Sequence, residues 1–240
     1  MSDTTIISVV MGVYNPDKEY LINSINSILN QTFEDIEFII CDDGSNKNED
    51  IFDELKNLDN RIIIIKNEKN MGLAYTLNNC INYSSGKYIA RQDADDVSKK
   101  DRLEKQFNFL ENNMSYSFVG SNISLFDENG EYGTFKFPNC PTNRDFLFTS
   151  PFNHGSIMIR KQVLEQNNLY RVSKETIRCE DKESKKRRKF ICRIDDFKIR
   201  KKYFKKSGIG LERYIYMIKP ILVGLFPVDI IDYMKKIYYK

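Results

Sequence analysis

The N-terminal part of the chain alternates short apolar runs with stretches whose apolar positions recur every three or four residues. Ile6-Ile7-Ser8-Val9-Val10-Met11 is short, β-branched and nearly unbroken, the pattern of a strand buried on both faces. Asn15-Pro16-Asp17 interrupts it, and Tyr20, Leu21, Ile25, Ile28 and Leu29 then repeat at helical spacing up to Gln31. Glu37 to Cys41 predicts a second strand, stopped by Asp42-Asp43-Gly44-Ser45. Ile51 to Leu58 predicts a short helix and Arg61 to Ile65 a third strand. Gly72 to Tyr83 is helical again, and Lys87 to Ala90 is a fourth strand that runs into Arg91-Gln92-Asp93. Strand–helix alternation of this kind predicts an α/β fold, a mostly parallel sheet with helices on both faces. Ligands of such sheets bind at the carboxyl ends of the strands.

Beyond Asp101 the texture changes. Leu103, Phe107 and Leu110 predict a helix, and Ser117 to Phe126 reads as one strand. Asp127-Glu128-Asn129-Gly130 then predicts a hairpin turn into Tyr132 to Phe137, and His154 to Ile159 a further strand. From Lys182 onward the chain reads as basic and helical, and Tyr214 to Tyr239 is rich in aromatic and aliphatic residues. The expected division is a body over 1–181 and a basic, amphipathic helical tail over 182–240.

Composition narrows the class. The chain has 240 residues, 41% hydrophobic and 30% charged, which is globular and not disordered. Met1 to Thr5 carries no basic region followed by an apolar core, and no apolar run reaches the ~18 residues of a spanning helix. Five scattered cysteines without CxxC spacing fit a reducing compartment, so the expected location is cytoplasmic. The single histidine excludes a histidine-rich metal site. Between Lys174 and Lys206 stand 15 Lys/Arg against 6 Asp/Glu, a local +9 that leaves −6 for the rest of a chain of net +3. That segment reads as a solvated face or as a peripheral contact with an anionic membrane at its inner face. Lys219, Pro220, Pro227 and Asp229 interrupt the apolar stretch that follows, so it would lie in the interface and not span. Nucleic acid is not expected, because the aromatics are not interleaved with the basic run as stacking platforms require.

Candidate chemistry lies in three acidic clusters. Asp42-Asp43 follows the second strand, Asp93-Ala94-Asp95-Asp96 the fourth, and Glu180-Asp181 comes late. Mg²⁺ and Mn²⁺ take hard oxygen ligands, usually one or two carboxylates plus substrate phosphates. For Asp42-Asp43 a solvated turn competes with that reading, since Asp is common in turns. Three like charges within Asp93 to Asp96 repel unless a cation sits among them, with Arg91 and the Lys99-Lys100-Arg102 run nearby.

These residues carry a resemblance. Val13-Tyr14-Asn15 after the first strand, Asp42-Asp43-Gly44-Ser45, Asn70-Met71-Gly72-Leu73-Ala74, Gly86-Lys87-Tyr88-Ile89-Ala90 and Asp93-Ala94-Asp95-Asp96 fall in the order found in family 2 glycosyltransferases. The chain resembles those inverting, GT-A-fold enzymes over about residues 5 to 181, with the bacterial polysaccharide-assembly transferases nearest in character. The resemblance implies that Val13, Tyr14 and Asn15 line a uridine pocket, with Asp43 or its neighbour Asp42 reading base or ribose. Asn70 and Gly72 would lie beneath the nucleotide, and Arg91 near the diphosphate. Asp93-Ala94-Asp95 would form the DxD element, Asp93 and Asp95 holding the donor diphosphate through Mn²⁺ or Mg²⁺ with Asp96 beside them. Glu180-Asp181 would be the late acidic motif, Asp181 the general base, and His154 would stand near the acceptor pocket. The implied donor is a nucleotide-sugar, probed first as UDP-linked, and the implied acceptor a glycan or lipid-linked glycan.

The chain departs from the family pattern after that motif. Asp181 runs straight into Lys182-Glu183-Ser184-Lys185-Lys186-Arg187, there is no Trp, and a segment expected between Asp181 and Arg187 is missing. Three readings follow: a working inverting transferase, a donor- and metal-binding remnant without its acceptor side, and a different nucleotide-binding enzyme such as a nucleotidyltransferase. Neither GxxxxGK[ST] nor GxGxxG occurs, which counts against the third.

Overall fold

A computed structural model describes residues 5–127, 130–142, 145 and 150–172. The tail expected over 182–240 lies outside the described residues. The first elements are β1 (Ile7–Val13), α1 (Lys18–Leu29), β2 (Ile36–Asp42), α2 (Ile51–Lys56), β3 (Ile62–Lys66), α3 (Leu73–Tyr83) and β4 (Tyr88–Arg91), in the order the apolar pattern predicts. Asp17 sets the start of α1, its carboxylate accepting from the amides of Glu19 and Tyr20, which have no partner within the helix.

After β4 come α4 (Arg102–Asn112), β5 (Phe118–Val119), β6 (Ile123–Asp127), β7 (Gly130–Phe135), a 3-10 turn (His154–Ser156), β8 (Met158–Arg160) and α5 (Lys161–Gln166). Two expectations are corrected here. The single strand expected over Ser117 to Phe126 is two strands, β5 and β6, broken at Gly120-Ser121-Asn122, residues that favour turns over strand pairing. The strand expected from His154 begins only at Met158, because His154 to Ser156 turn before it.

Six strands form one sheet in the order β3-β2-β1-β4-β8-β5. β1 to β4 are mutually parallel, whereas β8 runs antiparallel to both β4 and β5. The two-residue side-chain period of each strand feeds two cores. Val9, Met11, Phe38 and Ile40 pack on one face with Leu21, Ile25 and Ile28 of α1. Val10, Ile39 and Cys41 pack on the other with Leu77, Cys80 and Ile81 of α3.

The chain separates into two compact units, residues 1–120 with 154–172, and residues 121–153 with 173–240. The first holds the six-stranded sheet. In the second, β6 and β7 form an antiparallel hairpin with a register shift between Leu125 and Phe126. Phe135 meets Phe137 there in a tilted ring pair, 4.6 Å between ring centres and 55° between planes.

Gly86 lets the α3–β4 connection press against β1: a Cβ on it would lie 2.6 Å from the Ser8 amide nitrogen and 3.0 Å from the Ile7 carbonyl carbon. Backbone cannot give way as a side-chain tip can. Gly86→Ala is expected to lower stability by about 1–3 kcal/mol, read as a shifted guanidinium midpoint; an unshifted midpoint would refute this close approach.

Candidate functional site

Loops at the carboxyl ends of β1, β2 and β3 have amides with no ladder partner, and side chains from those same loops satisfy them. Asn15 has φ 48°, and its carboxamide oxygen accepts from the amides of Asn46 (2.9 Å) and Lys47 (3.1 Å). The Asn15 amide in turn donates to Ser45 Oγ at 2.9 Å. Asp42 Oδ1 accepts from the Ser45 amide at 2.8 Å. Asp42 Oδ2, with the residue only 1% exposed, lies 3.3 Å from Lys66 Nζ, an ion pair whose angles fall short of a hydrogen bond.

Asp43 is committed further. Its Oδ1 accepts from the Met71 amide (2.8 Å) and Asn67 Nδ2 (2.7 Å), and its Oδ2 from the Gly72 amide (2.9 Å). Gly72 has φ 89° and ψ 153° at the cap of α3, a conformation open essentially to glycine alone. Gly44 has φ 70°, and a Cβ there would stand 2.5 Å from the backbone of Lys69. The three loops are thus stitched into one surface. Tyr14, on the loop after β1, has 45% of its surface exposed and Asn70, on the loop after β3, is also exposed, whereas Val13 turns into the core.

The acidic loop follows β4. Arg91 is buried, and its NH2 donates to Asp93 Oδ1 at 2.7 Å. Its NH1 donates to His154 Nδ1. A guanidinium has no acceptor, so His154 must receive that bond as a neutral ring protonated on Nε2. Nε2 then donates to Tyr170 Oη at 3.2 Å. Burial first, and the Arg91 charge second, push the His154 pKa down to about 3. A Cβ on Gly155 would lie 2.5 Å from Asp93 Oδ2 and 3.2 Å from Asp96 Oδ2, so the two carboxylates converge over this glycine. The Asp96 carboxyl is pushed up to about 6, chiefly by lost solvation and then by Asp93 and Asp95. Asp96 as a whole keeps open contact with solvent, so the like-charge crowding is the firmer of those causes. Asp95 is exposed, and Ala94 packs its methyl against the core.

The profile described as Glycosyl transferase family 2 matches residues 8–169, from the start of the sheet to just past α5. The chain belongs to glycosyl transferase family 2. By class it is therefore a glycosyltransferase. EpsE of Bacillus subtilis, whose name places it among the glycosyltransferases, is 33% identical over 260 aligned positions, covering 96% of this chain and 93% of EpsE. Because this chain has only 240 residues, at least 20 of those positions (260 less 240) face a gap in it. The Escherichia coli enzyme WfgD, named as a UDP-Glc:α-D-GlcNAc-diphosphoundecaprenol β-1,3-glucosyltransferase, is 31% identical over 175 residues, covering 72% of this chain and 67% of WfgD. Two further relatives are covered over only 59% and 56% of their own length. Among solved structures, S. aureus TarS 1–349 shares the fold at TM-score 0.57 and 17% identity, over 90% of this chain and 70% of that 1–349 chain.

Of the residues singled out in this family 2 sequence, the sheet brings Tyr14, Asn15, Asp42, Asp43, Asn70, Gly72, Arg91, Asp93, Ala94 and Asp95 to the carboxyl ends of β1 to β4 and the loops that follow. His154 joins them through antiparallel β8. Glu180 and Asp181 lie outside the described residues. Three assignments change in character. Arg91, with its side chain 4% exposed and both terminal nitrogens engaged, balances Asp93 from below. Both ring nitrogens of His154 are likewise engaged, and Asp43 braces the loop before α3. Sequence reasoning gave Gln92 no role and named Arg102 only within a basic run near the acidic cluster; both are buried beneath the acidic loop. Their position directly between and after the motif residues was the available signal. Among the described residues no group of three or more His, Cys, Asp or Glu side chains forms a full metal cage.

Asp43→Asn would turn an amide NH₂ toward backbone N–H donors. It is expected to cost about 1–3 kcal/mol in urea unfolding, while Asp95→Ala, on an exposed side chain, leaves stability unchanged. For His154 the folded pKa of about 3 lies below the ordinary 6.5, so its contribution is complete above pH 6.5 and is lost as pH falls toward 3. The ring signals of the chain's single histidine should therefore stay in the neutral position from pH 8 to 5 by NMR; titration near pH 6.5 would contradict the Arg91 bond.

Proposed function

We propose that this family 2 glycosyltransferase transfers a sugar, with inversion, from a UDP-linked donor to a glycan or lipid-linked acceptor in cell-surface polysaccharide assembly, as a cytoplasmic protein acting at the inner membrane face. The observation that carries this reading is the convergence of Asp93 Oδ2 and Asp96 Oδ2 over Gly155, beside a buried Arg91. The site residues fit Mn²⁺ or Mg²⁺ shared with a diphosphate, because such an ion needs only one or two protein carboxylates when phosphates complete its shell. Asp93 would be one ligand and Asp95 of the DxD element the second, with Asp96 beside them, its Oδ2 converging with that of Asp93 over Gly155. The ion would supply neutralisation of the charge that builds on the departing diphosphate. The exposed Tyr14 ring offers a stacking face for a base, with Asn70 and the Gly72 backbone beneath the nucleotide. Asp42 and Asp43 remain the polar groups for base or ribose, Asp43 through the lone pair of Oδ2 left after its bond to Gly72.

Inversion needs one carboxylate to take the proton of the attacking hydroxyl, a contribution of about 10²–10⁴-fold. Asp181, next to Glu180, is the residue proposed for that step. The name of WfgD, with its UDP-glucose donor and lipid-diphosphate acceptor, supports the choice of substrates. No helix among the described residues is long and apolar enough to cross a membrane. The proposed membrane contact is peripheral, through the net +9 of the Lys174 to Lys206 segment. A second reading, a donor-binding remnant without its acceptor side, draws support from the gapped positions opposite EpsE.

Calorimetric titration of UDP with and without Mn²⁺, followed by a UDP-sugar hydrolysis assay, separates the readings. Expected are Mn²⁺-dependent binding, abolished by Asp93→Ala, and slow hydrolysis that Asp181→Asn removes without weakening binding. Binding without any turnover toward lipid-linked or glycan acceptors would favour the remnant, and no UDP binding would refute both.

A further inference from the structure

Three carboxylates within Asp93 to Asp96 repel one another, the more strongly where the protein excludes water. A loop so charged splays unless something holds its backbone. Gln92 is 2% exposed and sits directly under it. Its Nε2 donates to the Asp96 carbonyl at 2.7 Å and to Ser24 Oγ at 3.0 Å, with a longer approach of 3.3 Å to the Asp93 carbonyl. Ser24 Oγ in turn donates a hydrogen bond to that Asp93 carbonyl at 2.8 Å. On the other side, Gln92 Oε1 accepts from Ser98 Oγ at 2.7 Å and from Arg102 NH2 at 3.3 Å. Carbonyls only accept and a guanidinium only donates, so the carboxamide has one workable orientation. One side chain thus holds the start, the middle and the end of the loop.

Arg102, the first residue of α4, seals the underside. Its NH1 donates to the Arg91 carbonyl at 2.9 Å, and its Nε is buried without a hydrogen-bond partner. One turn on, Gln106 Nε2 donates to the Ser156 carbonyl at 2.7 Å. The buried stripe of α4 is Arg102, Leu103, Gln106 and Leu110, so two of its four positions are polar and each grips one wall of the cleft where Asp93 faces Gly155.

We propose that Gln92, backed by Arg102, is the positioning residue that fixes the acidic loop for its cation and diphosphate. This rests on the donor reading above. A glutamate at 92 would keep the acceptors for Ser98 and Arg102 but lose both donors, setting a carboxylate against the Asp93 and Asp96 carbonyls. Electrostatics alone would have the added negative charge tighten cation binding. Positioning has the opposite consequence, since a displacement of about 1 Å can cost about 10²-fold.

The test compares Gln92→Glu and Gln92→Met with wild type, using uridine as a probe of the base end and of folding, and UDP with Mn²⁺ as a probe of the loop. Expected is uridine affinity within about twofold of wild type, with Mn²⁺-dependent UDP affinity down about tenfold or more in both variants. Unchanged or tighter UDP·Mn²⁺ binding by Gln92→Glu overturns the proposal, and so does an equal loss of uridine and UDP·Mn²⁺ affinity, which would make Gln92 a residue of the fold. Wild-type protein that gains nothing from Mn²⁺ refutes the donor reading itself, whatever the variants do.

Discussion

Beneath the three carboxylates that follow β4 lie two guanidiniums withdrawn from water, and neither group of charges would be stable there alone. Removing an arginine from solvent costs several kcal/mol unless its charge and its donors find partners. Arg91 meets Asp93 directly, whereas Arg102 donates hydrogen bonds to a backbone carbonyl and to a carboxamide oxygen. Burial pushes the Arg102 pKa down to about 10, with Asp96 working in the other direction. Reciprocally, Arg91 and Arg102 both act to hold the Asp96 carboxyl down against its like-charged neighbours. The acidic loop and the buried cations are one electrostatic unit, and the geometry of the cleft follows from it.

A second constraint is hydrogen-bond accounting at the strand ends. The loops after β1, β2 and β3 leave the sheet with orphan amides, and Asn15, Asp42 and Asp43 satisfy them. Residues that look like ligand donors in a motif are therefore partly scaffold. A carboxylate with three internal donors is held rigidly, which suits a surface that must present fixed groups. The same bonds reduce how many lone pairs remain for anything bound there.

Much of the architecture was legible because β1 to β4 are buried on both faces, and continuous β-branched runs such as Ile6 to Met11 and Arg61 to Ile65 say so locally. The acidic strand ends were legible because the turn-forming Asp42-Asp43-Gly44-Ser45 and Asp93-Ala94-Asp95-Asp96 directly follow such runs. The expected strand over Ser117 to Phe126 failed because Phe118 and Val119 pair with β8 while Ile123 to Asp127 pair with β7, and hydrophobicity does not report a change of partner. Gln92 and Arg102 were illegible as site residues because polar residues read as exposed until their partners are known.

By itself the sequence determined the order and kind of the first seven elements and placed carboxylates at the ends of two strands. Those are local properties, set by side-chain period and by turn-forming residues within a few positions of each other. Only the tertiary structure decided that β8 returns antiparallel beside β4, with Ala90 opposite Met158. That register carries His154 to Arg91 across 63 positions of chain and lays Gly155 under Asp93. Strand pairing over such a distance is chosen by the packing of the whole sheet against α4 and α5, and no short stretch of sequence contains that choice.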